Sequence, residues 1–280
     1  MLRRPSVRRL TGRDLPEVWA LLDAAPVSNV FLAARLAEAG LDRWRLGGEI
    51  WGYGQPGQLE AACYAGANLV PVSANPSAAR AFGERARRYG RQCSSIVGPA
   101  EAVEGMWEVL ERAWGPARDC RWRQPVLALA DDPDVAADPR VRRVRMDELD
   151  LLMPAAVAMF TEEVGVSPLT EDGGRLYRSR MADLVRTGRA YARIEDGRVI
   201  FKAEVGAVTS KVCQVQGVWT HPRHRGRGIA TAGMSAVVRL ARRSLAPIVS
   251  LYVNDYNLPA RAAYARVGFQ QVDTFASIMF

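Results

Sequence analysis

Apolar side chains in the second half of the chain recur at helical spacing. Leu149, Leu152, Met153, Ala156, Val157 and Phe160 fall on one face and predict an amphipathic helix, with Pro154 placed to kink or split it. Beyond it, "YARIEDGRVIFKAEVGAV" holds two β-rich runs around Asp196-Gly197, a hairpin signal. "VCQVQGVWT" reads as a strand that runs straight into "THPRHRGRGIATAG", residues 220–233. After that turn Ala230, Met234, Val237, Val238 and Ala241 return to helical spacing. A short strand, "PIVSLYV", precedes a helix in "PARAAYARVGF", where Pro259 suits the first turn and Gly268 the C-terminal cap. "TFASIMF" reads as the closing strand. The order predicts an α/β fold with a mixed sheet, antiparallel hairpins first and a crossover helix later.

The first half repeats this outline loosely. "VRRLTGRDLPEVWALLDAA" from Val7 matches "VRRVRMDELDLLMPAAVAMF" from Val141: a short strand, an acidic helix start, then an amphipathic helix, the mark of an internal repeat. "ANPSAARAFGERARR" predicts a helix, and "CSSIVGPAEAVEGMWEVLERAW" a strand then a helix, but no glycine-rich basic turn precedes either helix. The acidic, proline-bearing stretch "DDPDVAADP" near the midpoint has the composition of a linker. The expected organisation is a degenerate amino-terminal domain over 1–130, a linker over 131–140, and a second domain over 141–280.

Composition bounds the function without choosing it. A chain of 280 residues, 49% hydrophobic and 24% charged, is that of an ordinary soluble protein with room for two modest domains. The basic start "MLRRPSVRRL" lacks an apolar core, and no apolar run approaches the ~20 residues of a membrane span, so a cytoplasmic protein without a membrane partner is expected. Cys63, Cys93, Cys120 and Cys213 stand far apart with no C-x-x-C, which indicates neither a metal site nor a disulfide framework and suggests small buried apolar residues. The net charge of +8 comes almost wholly from arginine, Lys202 and Lys211 being the only lysines. That bias, with no nucleic-acid motif beside it, argues against a nucleic-acid partner.

The basic turn is the candidate site. A helix amino terminus holds anions because its first amides lack partners and the helix dipole is positive there. A Walker A loop is excluded, since no lysine lies in this turn. Gly226, Gly228 and then Thr231 supply only two of the three glycines of a dinucleotide fingerprint, and no acidic residue suited to ribose follows in a parallel strand. What remains is R-x-x-G-x-A, Arg225 to Ala230, followed by "LYVNDYNLPARAAYARVGF" with Asn257, Ala260, Tyr264 and Gly268-Phe269.

With these two signatures in this order, residues 141–280 resemble the GNAT superfamily of acyl-CoA-dependent N-acyltransferases, and the whole chain resembles tandem-GNAT proteins with a degenerate amino-terminal domain. The resemblance implies two twisted mixed sheets flanked by helices, the second with a splayed strand pair that takes acyl-CoA. It implies that the backbone of Arg225, Gly226, Arg227, Gly228, Ile229 and Ala230 cradles the pyrophosphate of coenzyme A. His221 and His224 stand beside this turn as surface residues. Val218, Trp219 and Thr220 would line the pantetheine arm, the Val218 amide polarising the thioester carbonyl. Tyr264 stands where many members protonate the departing thiolate; Asn257 would orient the cofactor or cap a helix. Glu204 is the leading candidate for the base, and Glu162 and Glu163 for contacts to a cationic acceptor. The implied reaction is direct attack of a small-molecule or peptide amine on acetyl-CoA, without metal, in a monomer or homodimer. Two alternatives stay open: a non-catalytic acyl-CoA-binding sensor or interaction module, and a tandem-type aminoacyl transferase with a tRNA donor.

Overall fold

Strand alternation decides which side chains meet which helices. The computed structural model describes residues 6–170 and 172–280, so Arg3 and Arg4 of the basic start lie outside the described residues. The chain forms two units: unit 1 holds the described residues up to Leu127 together with Tyr252–Tyr256 and Gln271–Phe280, and unit 2 holds Ala128–Leu251 and Asn257–Gln270.

Unit 1 runs β1 (Ser6–Arg9), α1 (Leu15–Ala24), α2 (Val30–Ala39), the one-turn α3 (Arg43–Leu46), β2 (Gly48–Gln55), β3 (Gln58–Gly66), β4 (Asn68–Val72), α4 (Pro76–Tyr89), β5 (Ser95–Pro99), α5 (Ala100–Trp114) and β6 (Asp119–Leu129). Along β3, Ala61 and Cys63 join a core with Phe82, Val103, Met106 and Leu110 of α4 and α5. Ala62 and Tyr64 join another with Val18, Leu22 and Leu32 of α1 and α2. The sheet is therefore covered on both faces.

Unit 2 repeats the order with β7 (Arg142–Arg143), α6 (Leu149–Val164), α7 (Arg175–Arg186), β8 (Ala190–Glu195), β9 (Arg198–Val208), β10 (Val212–Thr220), α8 (Ile229–Ser244), β11 (Ile248–Tyr252) and α9 (Leu258–Val267). Its strands lie in the order β11-β10-β9-β8-β7, antiparallel except that β10 and β11 run parallel. Leu152, Ala156 and Met159 of α6 pack with Met181, Leu184 and Val185 of α7 on one face, while Phe201 of β9 lies against Gly233 of α8, where an added Cβ would meet its ring at 2.8 Å.

Four expectations need amendment. Pro154 lies inside α6 without splitting it: the proline forgoes one backbone hydrogen bond, and the buried face of Leu149, Leu152, Ala155, Ala156 and Met159 outweighs that loss. Cys120 is exposed, while Cys63, Cys93 and Cys213 are buried. The closing strand β12 (Gln270–Met279) takes its place in unit 1, antiparallel to β5 from Phe275↔Pro99 to Met279↔Ser95. The acidic stretch read as a linker is docked on α8 within unit 2. Ser235 Oγ donates to the Val135 carbonyl at 2.6 Å, the Asp138 amide donates to the Ala232 carbonyl at 3.0 Å, and Asp132 pairs with Arg242 and Arg239.

The sequence repeat is also a repeat of one electrostatic device. Arg8 donates to Asp14 at 2.6 Å in unit 1, and Arg142 donates to Glu148 at 2.6 and 2.7 Å in unit 2. Each carboxylate also accepts a backbone amide, from Thr11 at 2.8 Å and from Arg145 at 2.9 Å, so each closes the turn that opens the first long helix. The arginine hydrogen bond holds both carboxyls down to about 2, against burial that pushes them up. A carboxyl lowered on folding stabilises the fold fully above its ordinary value and loses that contribution as the pH falls through its folded value. Glu148→Gln is therefore expected to cost about 2 kcal/mol at neutral pH. Urea titrations should show the gap from wild type shrinking between about pH 4.5 and 2; a gap independent of pH would assign the loss to packing.

Candidate functional site

Strand β10 has two edges with different fates. Against β11 it pairs in parallel at Val212↔Ile248, Cys213↔Val249 and Gln214↔Ser250, and there the pairing ends, although β10 continues to Thr220. From Val215 onward its edge toward β11 is unpaired, the splay that the resemblance implies. Against β9 it stays paired to its end, but the register shifts between Gln216↔Glu204 and Trp219↔Lys202. Gly217 and Val218 occupy that shift as a β-bulge, a device that re-aims backbone groups.

The bulge needs glycine. Gly217 has φ +58°, and an added Cβ would lie 3.0 Å from Met159 Cε and 3.1 Å from Glu204 Cδ. Beneath it two charged side chains are buried together, Lys202 fully and Glu204 at 3% exposure. Lys202 Nζ donates to Glu204 Oε1 and, at 3.0 Å, to the Gly217 carbonyl. Glu204, expected as a base, is thus first a partner: neutralising one member of a buried ion pair leaves the other uncompensated, at several kcal/mol.

The turn after β10 presents an open helix end. Gly226 and Gly228 adopt φ +74° and +73°, and nothing lies within 4 Å of where their Cβ atoms would be. Backbone conformation therefore demands glycine here, and the absent side chains leave the main chain accessible. Gly228 is the residue before α8 and supplies no capping side chain, so the first amides of α8 keep their donors for an outside acceptor. Arg223, Arg225 and Arg227 are exposed around this turn. Unit 1 closes the equivalent helix: Asn75 Oδ1 accepts from the Ala78 amide at 2.9 Å and Pro76 removes a donor from the first turn of α4.

Glu162 at the end of α6 fastens the turn. Its Oε2 accepts from Arg225 Nη2 at 2.7 Å and its Oε1 from Trp219 Nε1 at 3.1 Å, while Arg225 Nε donates to the Thr220 carbonyl at 3.0 Å. Glu162, read from sequence as an acceptor contact, and Arg225, read as a phosphate contact, neutralise each other here. His221 Nδ1 accepts from the Arg223 amide at 3.3 Å, so one histidine shapes the turn. Asn257 caps α9, its Oδ1 accepting from the Ala260 amide at 3.3 Å.

Two tyrosines complete the surroundings. Tyr264 on α9 is 7% exposed, with its ring edge-on to Phe269. Burial pushes its phenol well above the ordinary value, and the charge of Glu163 pushes the same way, so it stays protonated through the neutral range. Tyr177 on α7 donates to the Ala156 carbonyl at 2.9 Å; burial raises its phenol, with the charges of Glu204 and Glu163 adding and Arg180 opposing. Glu163 therefore acts electrostatically on both phenols. Among the described residues no group of three or more His, Cys, Asp or Glu is placed to hold a metal ion, and no helix is long and apolar enough to cross a membrane.

Lys202 and Tyr177 escaped the sequence reading. A signal for Lys202 existed, since it is one of only two lysines and interrupts an apolar strand run. None marks Tyr177, whose role depends on how α7 packs.

Residues 157–269 match the model of the acetyltransferase (GNAT) family, and residues 48–152 match a domain of unknown function, DUF4081. Among solved structures, a GCN5-related N-acetyltransferase from Sphaerobacter thermophilus is 16% identical with a TM-score of 0.61, over 99% of this chain and 95% of that one. A GNAT-family acetyltransferase from Colwellia psychrerythraea is 11% identical, TM-score 0.54, over 98% and 99%. A tandem GNAT protein from the clavulanic acid biosynthesis pathway is 14% identical, TM-score 0.53, over 99% and 98%. At these identities the likeness is one of fold. No curated protein shows significant sequence similarity to the chain.

The bulge makes its own prediction. Gly217→Ala forces a side chain into the left-handed region and against Glu204, and is expected to destabilise the protein by about 1–3 kcal/mol. Urea titration measures it; a loss below experimental error would show that β10 relaxes freely at this point.

Proposed function

With residues 157–269 belonging to the GNAT acetyltransferase family, we propose that this protein is an acyl-CoA-dependent N-acyltransferase whose donor is acetyl-CoA and whose acceptor is an amine. One observation carries the reading: in unit 2 an uncapped helix start behind Gly226 and Gly228 follows directly from a strand whose edge is released after Gln214. An anion and an extended amide-bearing arm joined to it need these two features in this order. Backbone amides from Arg225 to Ala230 hold the pyrophosphate, Arg227 adds charge, and the free edge of β10 at Val218 to Thr220 takes the pantetheine arm.

In the reaction the amine nitrogen bonds to the thioester carbonyl carbon and the carbon–sulfur bond breaks, with the electron pair leaving on sulfur. The Val218 amide stabilises the charge that develops on the carbonyl oxygen. Tyr264 gives its proton to the departing thiolate; burial keeps the phenol protonated until then but also makes it a weaker acid, so the transfer relies on the negative charge that develops on sulfur in the same buried space. The amine's proton passes to a carboxylate, either Glu204 beside Lys202 or the exposed Glu163, whose charge acts on both Tyr177 and Tyr264. A cationic acceptor, arriving as an ammonium ion, meets Glu163 first. The site is internal to unit 2; among the described residues of unit 1 the corresponding helix start is closed by Asn75 and Pro76. A cytoplasmic location and a monomeric or homodimeric state accord with this reading.

Two measurements test it. Calorimetry should show acetyl-CoA binding to the full chain, weakened at least about tenfold, or 1.4 kcal/mol, by Arg227→Glu combined with Arg225→Gln; equal affinity in the variant would remove the pyrophosphate assignment. Once an amine screen has supplied an acceptor, Tyr264→Phe should lower kcat by roughly 10²-fold with little change in KM. Unchanged turnover across the pH range would return Tyr264 to a packing role.

A further inference from the structure

Lys202 is an unusual residue to find where it is. Its side chain is fully buried, in a chain that uses arginine for all but two of its basic side chains. A buried ammonium is costly even when paired, and an apolar pair of similar volume would often serve stability as well. Its two acceptors are specific. One is the carboxylate of Glu204, itself 3% exposed; the other is the carbonyl of Gly217, at 3.0 Å, inside the β-bulge.

That carbonyl shares a peptide unit with the Val218 amide. No cis peptide occurs among the described residues, and in a trans peptide the C=O of one residue and the N–H of the next point in opposite directions. A donor that fixes the Gly217 oxygen therefore fixes the Val218 N–H, which is aimed away from Lys202. The bulge lets this peptide rotate out of the ladder, since Gly217 and Val218 fall between the register pairs Gln216↔Glu204 and Trp219↔Lys202. Without a clamp it would be the least constrained peptide of β10: its edge toward β11 is unpaired beyond Gln214, and glycine at φ +58° carries no side chain to restrict it.

We infer that Lys202 is a positioning residue for acyl transfer: by clamping the Gly217 carbonyl, with Glu204 as its counter-ion, it holds the Val218 amide in the direction required to polarise the donor's thioester carbonyl. The inference rests on the acyl-CoA reading of unit 2 and adds to it the group that preorganises the donor. Preorganisation matters because a hydrogen-bond donor that must first turn toward the developing charge loses much of its advantage.

The test reads the carbonyl itself and needs no acceptor. Isotope-edited infrared difference spectra of [1-13C]acetyl-CoA bound to the full chain report polarisation as a lowered carbonyl stretch, and calorimetry reports affinity in parallel. Wild type should bind and show the lowered stretch. Lys202→Met should bind acetyl-CoA with similar affinity, since the pyrophosphate turn is intact, but return the stretch to its value in free acetyl-CoA; Lys202→Arg, which keeps a cationic donor, should restore part of the shift. Should Lys202→Met fold poorly because Glu204 is left unpaired, Lys202→Met with Glu204→Leu removes both charges and should give the same loss of shift in a folded protein. A lowered stretch that persists in either folded variant overturns the role of Lys202. Absence of a shift in wild type that binds acetyl-CoA overturns it as well, by removing the polarising amide. Absence of acetyl-CoA binding by wild type is a different failure: it removes the acyl-CoA reading on which the inference stands.

Discussion

A buried ammonium under a strand bulge is the constraint around which unit 2 is arranged. β10 must remain a full partner of β9 while parting from β11 after three pairs. A regular strand would present a uniform edge to both neighbours. The bulge at Gly217–Val218 breaks that uniformity, and Lys202 fills the acceptor that the break creates, since a carbonyl turned out of the ladder and into a buried space must find a donor. Glu204 then supplies the counter-charge that makes a fully buried lysine tolerable. Removing the lysine takes this donor from both the Gly217 carbonyl and the Glu204 carboxylate, so bulge, lysine and glutamate stand as one unit.

Around that unit, the elements that follow from it are fastened by arginine and tryptophan. Glu162 at the end of α6 binds both Trp219, the last buried residue of β10, and Arg225 in the turn. The position of the uncapped α8 start is thereby tied to the same helix whose Met159 packs on Gly217. The exposed Arg225–Glu162 pair contributes little stability by itself; its consequence is geometric, since it sets where the turn begins.

The two units show how one fold leaves a helix start open or closes it through a few residues. Both use an arginine on the first strand to close the carboxylate turn before the first helix, Arg8 with Asp14 and Arg142 with Glu148. They differ at the crossover helix. Asn75 and Pro76 satisfy or delete the first donors of α4, whereas Gly228 leaves those of α8 open. The local chemistry of helix capping, worth about 1 kcal/mol in stability, is here also the difference between a closed and an available helix end.

Much of this was legible in the chain itself. Helical spacing located α6 and α8, Asp196-Gly197 marked the β8–β9 turn, and Gly226 with Gly228 marked the open helix start, because these depend on periodicity and on backbone preferences that a residue carries wherever it sits. The Val7 and Val141 repeat likewise announced a shared device, since arginine and acid six residues apart meet through local geometry. Other features depended on contacts distant in sequence. No pattern assigns the last strand to unit 1, because strand partners are chosen by the sheet rather than by the strand. The docking of residues 131–139 on α8 needs arginines a hundred positions away, and composition alone read that segment as a linker. Glu204 looked like a base although the strand period already placed Lys202, two residues back, on the same face; only the fold brings the Gly217 carbonyl to that pair, and burial, not residue type, decides that its charge is already spoken for.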